Sequence, residues 1–198
     1  MVTSLERALC VDGPCIPMVT AAIESDTKEI HQVVNDAYRR DVFRYPERPR
    51  AAYEKIHGYF FSGTHTWYVI KLPKNNVQEI ACAVLYSTDE APETSAEGNI
   101  HMLSARTSYW GKKMSHLLLR KVEQRAVHDK KSKIRLIVAN TNLGLIKLYE
   151  QHGYRLTGEK FELPITSIQP QYQGKNPDGN SKIYCLHMEK DLFIKSHL

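Results

Sequence analysis

The sequence lacks the features that would place it in a special class. Cysteine is scarce and unpatterned: Cys10, Cys15, Cys82 and Cys185 are the only four in 198 residues. No two form a CxxC pair, so neither a disulfide framework nor a zinc site is expected, and reduced thiols in a cytosol-like compartment are. No run approaches the ~20 apolar residues that span a bilayer, and Glu6 and Arg7 interrupt the N-terminus before a signal-like apolar core can form. A G-x-S-x-G elbow and a cysteine beside a histidine are both missing, which leaves no signature of a covalent nucleophile. Zinc-finger, helix-turn-helix and aromatic RNP-like patterns are missing too, so the formal charge of +5 is not assigned to nucleic acid.

What is present is ordinary globular usage, 42% hydrophobic and 25% charged. The length suits one well-buried core better than two small ones. One domain is expected over residues 18–198, after an extension (1–17) that holds Gly13, Pro14 and Pro17. From Met18 the run MVTAAIE suits a strand. Ser25 or Asp26 then caps a helix with Ile30, Val33, Val34 and Ala37 on one face, and Glu29 stands three residues after Asp26 as in a capping box. That helix ends before Pro46, and a second spans Ala51 to Phe61, broken near Gly58 or Gly63. The positive charge gathers in YRRDVFRYPERPR and RKVEQRAVHDKKSK. TWYVIKL and EIACAVLYST read as strands joined through Pro73, Lys74, Asn75 and Asn76, a hairpin connection of turn formers. An acidic loop follows, with Asp89, Glu90, Glu93 and Glu97.

The centre of the chain is its most informative part. GNIHMLSA suits a strand, and a short loop then ends at Gly111. From Met114 apolar residues recur at helical spacing: Leu117, Leu118, Val122, Ala126. IRLIVA is a short β-branched run, expected as a buried strand covered on both faces. Asn142 opens another helix carrying Leu145, Leu148 and Tyr149, closed by Gly153. The Tyr109 to Lys113 loop sits where the amides of a helix N-terminus can receive an anion. After Tyr154, YRLTGEKFEL and KIYCLHMEKDL read as strands on either side of a Pro-, Gly-, Asn- and Gln-rich connection.

Two segments, SYWGKKMSHLLLRKVEQRA and NTNLGLIKLYEQHGYRLTG, resemble the acetyl-CoA loop and the following Asn-to-Tyr helix of the GNAT superfamily of N-acetyltransferases. Asn142, Tyr149 and Gly153-Tyr154 match the family's N-x-x-A-x-x-x-Y-x-x-x-G-F pattern, with Gly144 where Ala is usual. The loop is degenerate: Trp110, Lys113 and Ser115 stand where the family has Gln/Arg, Gly and Gly/Ala. The resemblance implies an α/β fold, a single-domain, mostly antiparallel mixed sheet of six to seven strands with helices on both faces. It also implies acetyl-CoA as co-substrate, contacted by Leu103, Ser104, Ala105, Trp110, Gly111, Lys112, Lys113, Met114, Ser115 and Asn142.

An amine must lose a proton before it attacks a thioester, and the departing thiolate must gain one. In family terms Tyr149 aligns with the general acid. Asn99 occupies the position of the Glu used by histone-acetylating members and cannot take a proton. Two residues on, His101 matches a histidine implicated in serotonin N-acetyltransferase and is the candidate base, with a water chain as the alternative. The expected reaction is acetyl transfer to a primary amine of a small molecule, an amino acid, polyamine or arylalkylamine, by direct attack in a ternary complex. A protein or peptide acceptor, and a non-catalytic CoA- or polyanion-binding module, are the competing expectations. The expected assembly is a monomer or homodimer without membrane partners, and no metal is expected. The expected address is the cytoplasm, with the peroxisome as alternative because Ser196-His197-Leu198 resembles the Ser-Lys-Leu import signal.

Overall fold

A computed structural model describes residues 17–41, 43–88, 96–173 and 182–192. The N-terminal arm to residue 16, most of the acidic loop, part of the last connection and the Ser196-His197-Leu198 ending lie outside the described residues. Seven strands form one sheet: β1 (Val19–Ala21), β2 (His65–Lys74), β3 (Val77–Thr88), β4 (Glu97–Ala105), β5 (Lys133–Ala139), β6 (Arg155–Glu162) and β7 (Tyr184–Asp191). Their order across the sheet is β1-β2-β3-β4-β5-β7-β6, and every pairing is antiparallel except β4 with β5. Four helices cover it: α1 (Thr27–Tyr38), α2 (Tyr53–Gly58), α3 (Met114–His128) and α4 (Leu143–Gln151). No helix among the described residues is long and apolar enough to cross a membrane.

The hairpin between β2 and β3 closes on Asn75 and Asn76, both at positive φ (50° and 65°), the conformation of a two-residue turn whose twist matches the strands it joins. α1 and α2 put Ile30, Val33, Val34 and Ile56 against Trp67, Val69, Ala83 and Leu85 on one sheet face. α3 puts Leu118, Leu119, Val122 and Ala126 against Ile70, Val84, Tyr86, Ile100 and Ile134 on the other. Both helical periodicities thus bury their apolar stripes, as the spacing of those residues predicts.

Two local expectations are corrected. Asp26 and Glu29 form no capping box: Asp26 accepts the Ile23 amide (3.0 Å), while Glu29 accepts the Ile80 amide (2.7 Å) and a guanidinium N–H of Arg106 (3.1 Å). Glu29 therefore holds the start of α1 to β3 and to the end of β4. β5 is covered on one face only. Ile134, Leu136 and Val138 are buried under α3 and α4, whereas Ile137 is 51% exposed. Four helices over two faces leave that patch of the sheet without a helix across it.

Position of β4 relative to β5 shapes everything that follows. The parallel ladder runs only from Glu97↔Lys133 to Ile100↔Leu136 and then stops, while β5 stays paired with β7 to Ala139↔Cys185 and β4 with β3 to Ala105↔Cys82. An extra residue in β4 shifts its register between Leu85↔His101 and Ala83↔Ser104, and Met102 takes a positive φ of 52° there. Such a bulge bends its strand, and the sheet opens as a fork beyond Ile100.

Candidate functional site

A cavity of 490 Å³ fills the fork. Its floor is Leu103, Ser104 and Ala105 of β4, whose edge toward β5 has no ladder partner. Main-chain groups in that position can pair with an amide-bearing ligand, except the Ala105 carbonyl, which accepts from the Trp110 indole N–H (3.1 Å). One wall is the loop before α3, with Trp110, Gly111, Lys113, Met114 and Ser115; another is Asn142, Gly144 and Leu145 at the start of α4. The structure thus brings nine of the ten cofactor positions expected from sequence to one cavity, and Lys112 is not in its lining.

The loop explains its own composition. Gly111 and Lys113 both have positive φ (73° and 58°). Gly111 adopts it without steric cost, whereas Lys113, at a family glycine position, bears about 1–2 kcal/mol of left-handed strain. In return an ammonium stands at the N-terminus of α3, where the amides of Met114 and Ser115 have no intrahelical acceptor. Ser104 and Ala105 are small and leave the floor open, so the donor set and the positive charge fit a pyrophosphate-bearing, amide-bearing ligand.

Sequence reasoning missed the fourth wall. Ala37, Tyr38, Arg40 and Asp41, at and beyond the end of α1, complete the lining. The Arg40 guanidinium lies 3.9 Å over the Trp110 ring and donates to the Thr107 hydroxyl, which ties α1 to the loop. The Asn142 side-chain amide donates to Asp41 Oδ1 (3.2 Å), which ties α1 to α4 across the cavity. The signal in the sequence was the dense YRRD run, read there only as positive charge.

Tyr149 and His101 stand outside the cavity lining, on different sides. Tyr149 lies four residues after Leu145 on the same face of α4, is 5% exposed, and its hydroxyl has no hydrogen-bond partner among the described residues. Burial, reinforced by Tyr38, pushes its pKa far above the phenolic value of about 10. It is therefore a protonated donor at any physiological pH. His101 is on the α1/α2 side of the sheet and shares a 2.9 Å hydrogen bond with Ser87. The residue as a whole is exposed to solvent. Loss of hydration on the buried side, then the positive fields of His65, Arg50 and Lys55, push its pKa down to about 4. Cys82 also faces the cavity, but burial pushes its thiol up to about 12, so it carries no nucleophilic thiolate.

A sequence model of the acetyltransferase (GNAT) family matches residues 27–154, the stretch from α1 through the end of α4. No curated protein matches the chain. Among solved structures, an N-acetyltransferase from Staphylococcus aureus Mu50 is similar over 90% of this chain and 99% of its own, with a TM-score of 0.68 and 15% identity. A GNAT superfamily phosphinothricin acetyltransferase from Sinorhizobium meliloti, in complex with acetyl-CoA, is similar over 92% of this chain and 91% of its own (TM-score 0.68, 13% identity). A ribosomal-protein-alanine N-acetyltransferase from Brucella melitensis is similar over 88% and 99% (TM-score 0.64, 16% identity).

Proposed function

The chain belongs to the GNAT acetyltransferase family, and from that premise we propose that it transfers an acetyl group from acetyl-CoA to a primary amine of a small molecule. The observation that carries the proposal is the fork: an unpaired β4 edge opening into a cavity that ends at the N-terminus of α3. Acetyl-CoA supplies the activated acyl thioester. Leu103 to Ala105 hold its amide-bearing arm along the strand edge, and Gly111, Lys113, Met114 and Ser115 hold its pyrophosphate. Arg40 and Lys113 offset the negative charge.

A small acceptor is favoured because the two segments we take as walls of the acceptor side, the one after α1 and the one after β6, are joined. The Gln169 amide donates to the Phe43 carbonyl (2.8 Å), its side chain donates to the Arg44 carbonyl (2.5 Å), and Phe43 packs with Ala139, Ile168 and Ile183. A peptide needs an open groove between those walls, and this bridge closes it. Tyr149, kept as a phenol by burial, is assigned the role of hydrogen-bond donor and acid toward the departing thiolate.

His101 is assigned as base, directly or through water, and its depressed pKa sets the pH range. Neutral imidazole persists down to about pH 4, so the acid limb of kcat/KM is expected near 4, well below the ordinary histidine value of about 6.5. In His101→Ala that limb should flatten. A pH profile identical to the parent's would transfer the role to a water relay.

Binding is tested by melting. A ligand at a hundred times its Kd stabilises the native state by about 2.7 kcal/mol, which for a chain of this size raises Tm by about 5–10 °C. Saturating acetyl-CoA should produce that rise. Unchanged melting with acetyl-CoA, propionyl-CoA and free CoA alike would remove the cofactor.

A further inference from the structure

Beside the first cavity lies a second, of 270 Å³, whose walls include Arg39, Arg44, Arg48, Arg50, Thr166 and Ser167. Two of its arginines are answered by carboxylates on their own segment, Arg39 by Asp36 (3.1 Å) and Arg44 by Asp41 (3.0 Å). Arg48 and Arg50 have no carboxylate partner among the described residues. Arg48 donates to the Thr166 carbonyl (2.7 Å) and lies 4.3 Å over the Tyr45 ring; Arg50 lies 5.0 Å over the Tyr38 ring. Main-chain and aromatic contacts thus orient two exposed guanidiniums that no carboxylate among the described residues neutralises. Planar forks of this kind match a carboxylate with two parallel hydrogen bonds.

The two cavities share a partition. Tyr38 lines both, and the Asp41–Arg44 pair spans the same wall, Asp41 facing the first cavity and Arg44 the second. Tyr38 also adds to the upward push that burial gives the Tyr149 pKa. The second cavity is slightly smaller than the ~300–1,000 Å³ of sites that enclose a whole ligand, so it suits the acidic end of a molecule whose other end reaches past Tyr38.

Resting on the acetyltransferase reading above, we propose that the acceptor is a primary amine that also carries a carboxylate, with the carboxylate held by Arg48 and Arg50. The amine then points past Tyr38 to the thioester. Polyamines and simple arylalkylamines, cationic or without an anionic end, are disfavoured by the same guanidiniums.

The test is CoA release by the full chain with acetyl-CoA and matched amines: L-phenylalanine against phenethylamine, β-alanine against propylamine, phosphoethanolamine against ethanolamine, and spermidine. At least one carboxylate-bearing amine should exceed its neutral counterpart roughly tenfold or more in kcat/KM, the size of a charge-assisted hydrogen bond. Arg48→Gln and Arg50→Gln should each raise the KM of that acid roughly ten- to a hundredfold, with the KM values of the neutral counterpart and of acetyl-CoA unchanged. Arg→Lys at either position should recover part of the loss. If Arg50→Gln melts lower than the parent because Tyr38 loses its contact, Arg48→Gln decides. Neutral amines or spermidine used as well as the acids would overturn the carboxylate assignment while leaving the acetyltransferase standing, and so would a preference for phosphoethanolamine. No turnover with any amine would overturn both.

Discussion

Replacing Tyr149 with Phe is expected to lower kcat about a hundredfold, within the 10²–10⁴ range that a positioned proton donor contributes, while the KM for acetyl-CoA changes little. The split follows from where the hydroxyl acts. A proton given to a departing thiolate matters only as the transition state is reached, so its loss appears in turnover rather than in ground-state binding. The substitution is also mild for the fold. The hydroxyl has no partner among the described residues to be orphaned, and the ring keeps its edge-on contact with Tyr154, 5.9 Å between centroids. Steady-state kinetics with a good acceptor, alongside a melting curve, check both halves. Unchanged turnover would retire Tyr149 as the acid.

Leu118→Ala carries the largest expected loss of stability. Leu118 is 0% exposed in α3, inside the cluster that joins the helix to β3, β4 and β5. Truncation there removes apolar contact and leaves a cavity that packed neighbours fill only in part, at a cost of about 3–5 kcal/mol. For a protein of this length Tm should fall by about 6–20 °C at ~2–4 °C per kcal/mol. The control is Val127→Ala on the same helix, where the side chain is 38% exposed and the change should stay within about 0.5 kcal/mol. Equal melting of the two variants would mean that α3 does not seat on the sheet through Leu118.

Legibility in the sequence tracked locality. The α3 stripe, the Asn75-Asn76 turn and the Asn142-to-Gly153 helix are each decided within a dozen residues, by side-chain period, turn chemistry and a left-handed cap at Gly153 (φ 84°). The loop before α3 and the place of Tyr149 on α4 were legible through the motif that contains them. Glu29 was not, because its partner, the Ile80 amide, is 51 residues away and a capping box is merely the nearest use for an acid at that spacing. β5 misled for a similar reason. IRLIVA has an apolar residue at 137 whichever way the face points, and only the placement of the helices decides whether Ile137 is covered. The place of Tyr38 and Asp41 in the cavity wall, and the hold of the Thr166 carbonyl on Arg48, arise from contacts between α1, α4 and the segment after β6. No window of the chain contains them together.

The fork has a further consequence, for self-association. A strand with unmet main-chain donors and acceptors is a template on which another chain can add itself, and sheet proteins must guard against it. Here one such stretch, the β5-facing side of Leu103 to Ala105, lies inside the sheet and lines the ligand cavity between α4 and the loop before α3. The outermost strands are protected by other means. β1 is only three residues long, and β6 breaks its pairing with β7 between Leu156 and Lys160, around Gly158 at φ 87°, with Glu159 and Lys160 placed at the break. The chain can therefore keep one ladder incomplete for a ligand while denying the same vacancy to its own copies.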